Sequence, residues 1–257
     1  MQKVSIILLL VTSIAFVQAS PRLRIVNGET AVLGQFPYQV RLTLDIGNCQ
    51  RALCGGSLLN EEWVLTAGHC VQMVISVEVH LGAVDFDDQT NDGRQVLVST
   101  EFFQHEKYNP LLVTNDVALV KLPQKVEFSE RVQPVRLPTG NCDYAGEGVI
   151  VSGWGLIESG GQVAQKLQYA MLQVITNYEC HKTFNPLVVR KTTICARGDA
   201  NESPCNGDSG GPLVLAKDKT LVGVVSFIHE KGCESGLPAA FARVTAFRDW
   251  VKKHTGV

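Results

Sequence analysis

The stretch from Cys205 to Pro212 reads Cys-Asn-Gly-Asp-Ser-Gly-Gly-Pro, and four of its eight residues are Gly or Pro. That composition makes a tight, shaped loop and not a helix or a strand interior. Ser209 stands in its middle, with Gly207 before it and Gly210 and Gly211 after it. Glycines admit backbone conformations closed to other residues and leave room for an incoming group. A hydroxyl held clear of such a loop, beside converging N–H groups, has what acyl transfer needs: a nucleophile and donors for a developing oxyanion. A serine in a Gly-rich turn is by itself more often only a turn.

Such a nucleophile needs a base and an orienting acid. The run Trp63-Val-Leu-Thr-Ala-Gly-His69-Cys70 passes from a strand into a turn that ends on a cysteine. Asn115-Asp116-Val-Ala-Leu-Val-Lys-Leu puts a carboxylate at the head of an apolar strand. A lone histidine is commonly structural, and a strand-end aspartate is commonly solvated. The three strings together, in this order, resemble the chymotrypsin family of trypsin-like serine proteases. The resemblance covers Ile25 to about Trp250 and includes the Val-Ser-Gly-Trp-Gly string at Val151 to Gly155. It implies that Ser209 is the nucleophile, His69 the general base and Asp116 the acceptor of the histidine Nδ1 proton. It also implies that Ser226 bonds to that aspartate, and that the Gly207 and Ser209 amides form the oxyanion hole. The family places Ala before its histidine; here Gly68 stands there, and loss of one methyl is expected to loosen the turn slightly. His80, His105, His181, His229 and His254 lack any such context.

The start of the chain is a targeting segment. Lys3 is followed by an apolar run, Val4 to Val17, and then by Val17-Gln18-Ala19, a small-residue cleavage site. The run is short for a membrane span, which needs about 20 residues. Residues 1–19 are expected to be a signal peptide, 20–24 an activation propeptide and 25–257 the peptidase domain. Ile25-Val-Asn-Gly28 after Arg24 resembles the family's mature N-terminus, freed by cleavage after a basic residue. The resemblance implies that the new ammonium buries itself against Asp208, each charge stabilising the other. The product is expected to be secreted and monomeric. Its partners are then protein or peptide substrates, an activating protease and protein inhibitors. The formal net charge is −2 with no basic patch, so nucleic acid is not an expected partner.

Those catalytic residues must be positioned by short strands. Gln39 to Leu44, Ser57 to Asn60, Trp63 to Thr66, Ser76 to Leu81, Gln95 to Phe103 and Val117 to Leu122 are β-rich runs separated by turn residues. Gly148 to Ser152, Leu167 to Ile175, Pro212 to Leu215, Thr220 to Phe227 and Ala239 to Val244 form a second group. The expected fold is all-β: two six-stranded antiparallel barrels, one over about 25–135 and one over about 146–244. Pro123 to Gly146 is the expected crossing. Val244, Phe247, Trp250 and Val251 recur at helical spacing, which predicts a terminal helix over about 245–255.

Eight cysteines behind a signal peptide imply disulfides, though spacing does not give their connectivity. The family resemblance implies Cys54–Cys70, Cys180–Cys195 and Cys205–Cys233. Cys49 and Cys142 are left to pair with each other, to stay free or to pair between molecules. No cofactor or metal is expected: the family's calcium loop begins with Glu where Ala83 stands, and Asp85, Asp87, Asp88 and Asp92 read as a solvated acidic loop. The sequon Asn201-Glu202-Ser203 is followed by Pro204 and is not expected to carry glycan. By the family's layout Ser203 forms the floor of the primary pocket, Ile228 its mouth and Ala239 its wall. A neutral, partly closed pocket implies elastase-like or chymotrypsin-like preference, not trypsin-like, and digestion in a gut lumen is a consistent role. The alternative is a catalytically silent binding protein on the same fold. Such homologues usually lose a catalytic residue, and this chain retains all three.

Overall fold

The computed structural model describes residues 28–86, 93–199 and 201–257. The targeting segment, Arg24, Ile25, Asp87, Asp88 and Asp92 lie outside the described residues. The first half carries β1 (Glu29–Thr30), β2 (Gln39–Asp45), β3 (Arg51–Leu58), β4 (Trp63–Thr66), β5 (Ser76–Leu81), β6 (Gln95–Ser99), β7 (Glu101–Gln104) and β8 (Ala118–Lys121). The second carries β9 (Gly148–Gly153), β10 (Gln168–Ile175), a one-turn helix α1 (Asn177–Cys180), β11 (Thr193–Arg197), β12 (Pro212–Leu215), β13 (Leu221–Phe227) and β14 (Ala239–Arg243). Helix α2 (Val244–Thr255) follows.

The strands form two antiparallel sheets. One runs β6-β5-β2-β3-β4-β8-β7, and the other runs β1-β10-β11-β14-β13-β12-β9 and closes through β9 on β10. The second is therefore a six-stranded barrel with β1 added along β10. The first is a half-barrel whose end strands, β6 and β7, are consecutive across Thr100. The expected single strand from Gln95 to Phe103 is thus a bent run, one arm on β5 and the other on β8. The chain's first strand also belongs with the second barrel, since Glu29 pairs with Tyr169.

Alternation sets the inward faces. Val40, Leu42 and Leu44 of β2 are buried, as are Ala170, Leu172 and Val174 of β10, while Met171 between them is exposed. Two buried clusters follow, one filling the second barrel around Phe241 and Ile194. The other fills the first and continues to Trp154, Phe247 and Val251. Helix α2 buries Val244, Phe247 and Val251, and closes on Gly256, whose φ of 78° lets its N–H reach Lys252 O.

Three further elements depart from the sequence reading. Strand β3 begins at Arg51, where a strand was expected only from Ser57. Gly55 and Gly56 read as a break, but a Cβ on Gly55 would lie 2.7 Å from Gly211 Cα, so the glycine serves a close backbone approach inside the ladder. Strand β11 was not expected at all; its five residues show no period because four of them are buried. Helix α1 was also missed, although Thr176 and Glu179 form a capping box that the Thr-Asn-Tyr-Glu string spells out.

Candidate active site

The Ser209 loop is held between the two sheets. Gly55 N of β3 donates to Ser209 O at 2.7 Å, and Gly210 N donates to Val225 O of β13 at 2.8 Å. Gly207 and Gly210 have φ of +98° and +80°, conformations that other residues rarely adopt. A Cβ on Gly210 would also lie 2.1 Å from Thr66 Oγ1. The Gly207 and Ser209 amides donate to no protein group among the described residues. They remain available to a bound oxygen.

His69 sits on a 3-10 turn, Gly68–Val71, that follows β4 and is tied down by the Cys54–Cys70 disulfide. Its Nδ1 lies 2.8 Å from Asp116 Oδ2, and its amide donates to Asp116 Oδ1 at 2.9 Å. The side chain of Asp116 is 1% exposed and that of His69 is 30% exposed, so the acid is sealed while the imidazole reaches the cleft. Ser226 Oγ donates to Asp116 Oδ2 at 2.5 Å. The β13–β14 register shifts between Val225 and Phe227, and this bulge leaves Ser226 free to turn toward the aspartate. No hydrogen bond joins His69 to Ser209. Both line one cavity of about 300 Å³ with Asn206, Gly207, Leu53 and Val74. A larger cavity of about 580 Å³, lined by Thr30, Ile157 and Lys166, contains none of these groups.

Two residues that support this arrangement carried no signal in the sequence. Gln104 Nε2 donates to Gly68 O at 2.8 Å. The Tyr108 ring fills the space beside Gly68, where an added Cβ would meet both Tyr108 Cδ2 and Asp116 Oδ1 at 3.2 Å. The missing methyl therefore leaves no void. Burial, then the Asp116 charge, pushes the Tyr108 phenol up to about 12.

Asp208 is fully buried, with Oδ1 accepting from Gly155 N at 2.7 Å and Oδ2 from Cys205 N at 2.9 Å. The Val-Ser-Gly-Trp-Gly string has its reason here. A Cβ on Gly153 would lie 2.1 Å from Asp208 Oδ1, and one on Gly155 would lie 2.6 Å from the carboxyl carbon. Burial raises the Asp208 carboxyl to about 6 against the lowering effect of the two amide bonds. Its expected ammonium partner, Ile25, lies outside the described residues.

Of the pocket residues, Ser203 and Ala239 are buried, and Ser203 Oγ donates to Pro204 O at 3.0 Å. Ile228 is half-buried. It packs against the Cys205–Cys233 disulfide beside Leu156, and also against the cluster that contains Ala239. The disulfides join Cys54–Cys70, Cys180–Cys195 and Cys205–Cys233, while Cys49 and Cys142 are exposed and unbonded. One cluster has metal-like spacing among the described residues, Cys54, His69 and Cys70, but its sulfurs are bonded to each other and offer no thiolate. At the calcium-loop position the described residues also offer little to a cation. Ala83 supplies no carboxylate, and the Arg41 and Arg94 guanidinium carbons lie 3.7 and 5.0 Å from the Phe86 ring centre. Among the described residues no helix is long and apolar enough to cross a membrane.

Paired β-barrels with a histidine, an aspartate and a serine brought to their seam define a chymotrypsin-like protein. The family model described as Trypsin matches residues 25–251. The chain belongs to the trypsin family and is a serine endopeptidase. It is 42% identical to a collagenase of Hypoderma lineatum over 91% of this chain and 88% of that protein. It is 36% identical to brachyurin of Leptuca pugilator over 91% of this chain and 99% of that protein. An HL collagenase structure superposes with a TM-score of 0.82 at 41% identity, covering 90% of this chain and 99% of the other.

Proposed function

We propose that the chain is a secreted zymogen, cut between Arg24 and Ile25, that hydrolyses peptide bonds through an acyl-enzyme. The observation that carries the chemistry is the bond from His69 Nδ1 to the sealed Asp116, with Ser209 and the free Gly207 amide in the same cleft. In this reading His69 Nε2 takes the proton from Ser209 Oγ as it attacks the scissile carbonyl. The Gly207 and Ser209 amides hold the oxyanion. His69 then protonates the leaving amine, and water clears the ester. Asp116 fixes the tautomer, and the Ser226 hydroxyl, which donates to Asp116 Oδ2, helps to hold the carboxylate in place. A fluorophosphonate probe should label Ser209 of the activated protein; labelling elsewhere, or none, overturns the assignment.

The proposed preference is for Leu, Val, Ala or Met before the cut, over Phe and Tyr. Ser203 at the floor offers no counter-charge, so a buried Lys or Arg would lose several kcal/mol. The packing of Ile228 against the Cys205–Cys233 disulfide supports a narrowed mouth. Values of kcat/KM on peptides differing only at that residue test this. Best cleavage after Arg sinks the argument, and best cleavage after Tyr shows that Ile228 does not occlude. Likeness to an enzyme named collagenase makes collagen the first protein substrate to try. An extracellular digestive role, with an activating protease and protein inhibitors as partners, fits this reading.

A further inference from the structure

The segment between β13 and β14 forms one side of the proposed pocket and begins with Ile228. Of its two acidic residues, Glu230 and Glu234, the second reaches across to Ser159, on the loop that leaves β9. Ser159 N donates to Glu234 Oε1 at 2.5 Å, and Ser159 Oγ donates to Glu234 Oε2 at 2.5 Å. The same hydroxyl accepts from Cys233 N at 3.1 Å. Gly232, at φ +94°, permits the approach, because a Cβ there would lie 2.5 Å from Ser159 Oγ. These bonds hold the Glu234 carboxyl below its ordinary range. Both loops are also fastened to the nucleophile loop. Leu156 N donates to Asn206 O at 2.7 Å, and Cys233 is bonded to Cys205. Ile228 packs against that disulfide, as does Leu156.

We propose that Ser159 and Glu234 are positioning residues for specificity: their paired hydrogen bonds hold the 228–237 wall so that Ile228 stays across the pocket mouth. The inference rests on the reading that Ile228 narrows the pocket. Without the clamp, the Cys205–Cys233 disulfide still holds the middle of the wall, but Ile228 can swing aside to admit a ring.

The test compares activated wild-type enzyme with Glu234→Ala, Ser159→Thr and Ile228→Gly on matched peptides carrying Leu or Phe before the cut. Glu234→Ala should lower the Leu-over-Phe ratio in kcat/KM about five-fold, the scale of an exposed charged contact. The change should fall on KM of the Phe peptide and leave kcat in place. Ser159→Thr keeps both donors and should keep the ratio. If Ile228→Gly shifts the ratio and Glu234→Ala does not, the clamp is overturned and the narrowed pocket stands. If neither shifts it, both fail. If Glu234→Ala shifts it and Ile228→Gly does not, Ile228 does not narrow the pocket and the inference as stated is overturned.

Discussion

Asp208 and Ser209 are neighbours in sequence with opposite surroundings, and each makes a prediction at the scale of one side chain. An unfolded aspartate titrates near 3.8, and the buried Asp208 at about 6. Between those values the folded precursor binds a proton that the unfolded chain has released. Its stability therefore falls as pH rises through that window and stays lower above it, by about 3 kcal/mol at most. In an Arg24→Gln background, which keeps the precursor uncut, Asp208→Asn should flatten that fall in urea midpoints measured from pH 4 to pH 7. An unchanged slope would mean that the carboxyl is not the titrating group. For Ser209→Ala, fluorophosphonate labelling should vanish and turnover should drop on the order of 10⁶-fold, with the thermal midpoint nearly kept. Residual acyl-enzyme in that variant would place the nucleophile elsewhere.

Between β5 and β6 lies the position of the family's calcium loop, where no metal was expected because Ala83 replaces its glutamate. Arg41 of β2 and Arg94 set guanidinium groups against Phe86 there, and Ala83 supplies no side-chain oxygen ligand. A calcium site needs several carboxylate or carbonyl oxygens, and the family's glutamate ligand is missing here. The thermal midpoint is therefore expected to stay put when EDTA or millimolar calcium is added; a clear rise with calcium would overturn this. At this scale the sequence was a good guide where period and burial agreed. Strand β2 and helix α2 lie where alternation and helical spacing put them, because each has one wet face and one dry one. It was a poor guide to β11, whose residues are nearly all buried and leave no alternation to read.

The nucleophile loop is held by β3 from one barrel and β13 from the other, so an active geometry requires both to be folded and docked. The proposed activation by cleavage would add a third requirement. Arg24→Gln should yield a secreted, folded protein that neither labels nor hydrolyses peptides, and trypsin treatment should rescue the wild type but not the variant. Hydrolysis by the uncut variant at the rate of the processed enzyme would place the switch elsewhere.

By itself the sequence determined the residue types and their order: His69, Asp116 and Ser209, a Gly-rich loop and a terminal amphipathic helix. The family resemblance added the disulfide pairs that form. Local strings carry this much because a turn, a strand face or a helix face is set by residues close in the chain. Contacts between distant residues were decided by the tertiary structure. The family resemblance implied that Ser226 meets Asp116; the bulge in β13 is what aims it there across 110 residues. Glu234 meets Ser159 across 75 residues, and Gly153 and Gly155 make room for a carboxylate that follows them by more than fifty positions. Tyr108 and Gln104 settle around Gly68 for the same reason. Which side chains face each other across a closed barrel depends on register and docking, and no period within a strand encodes either.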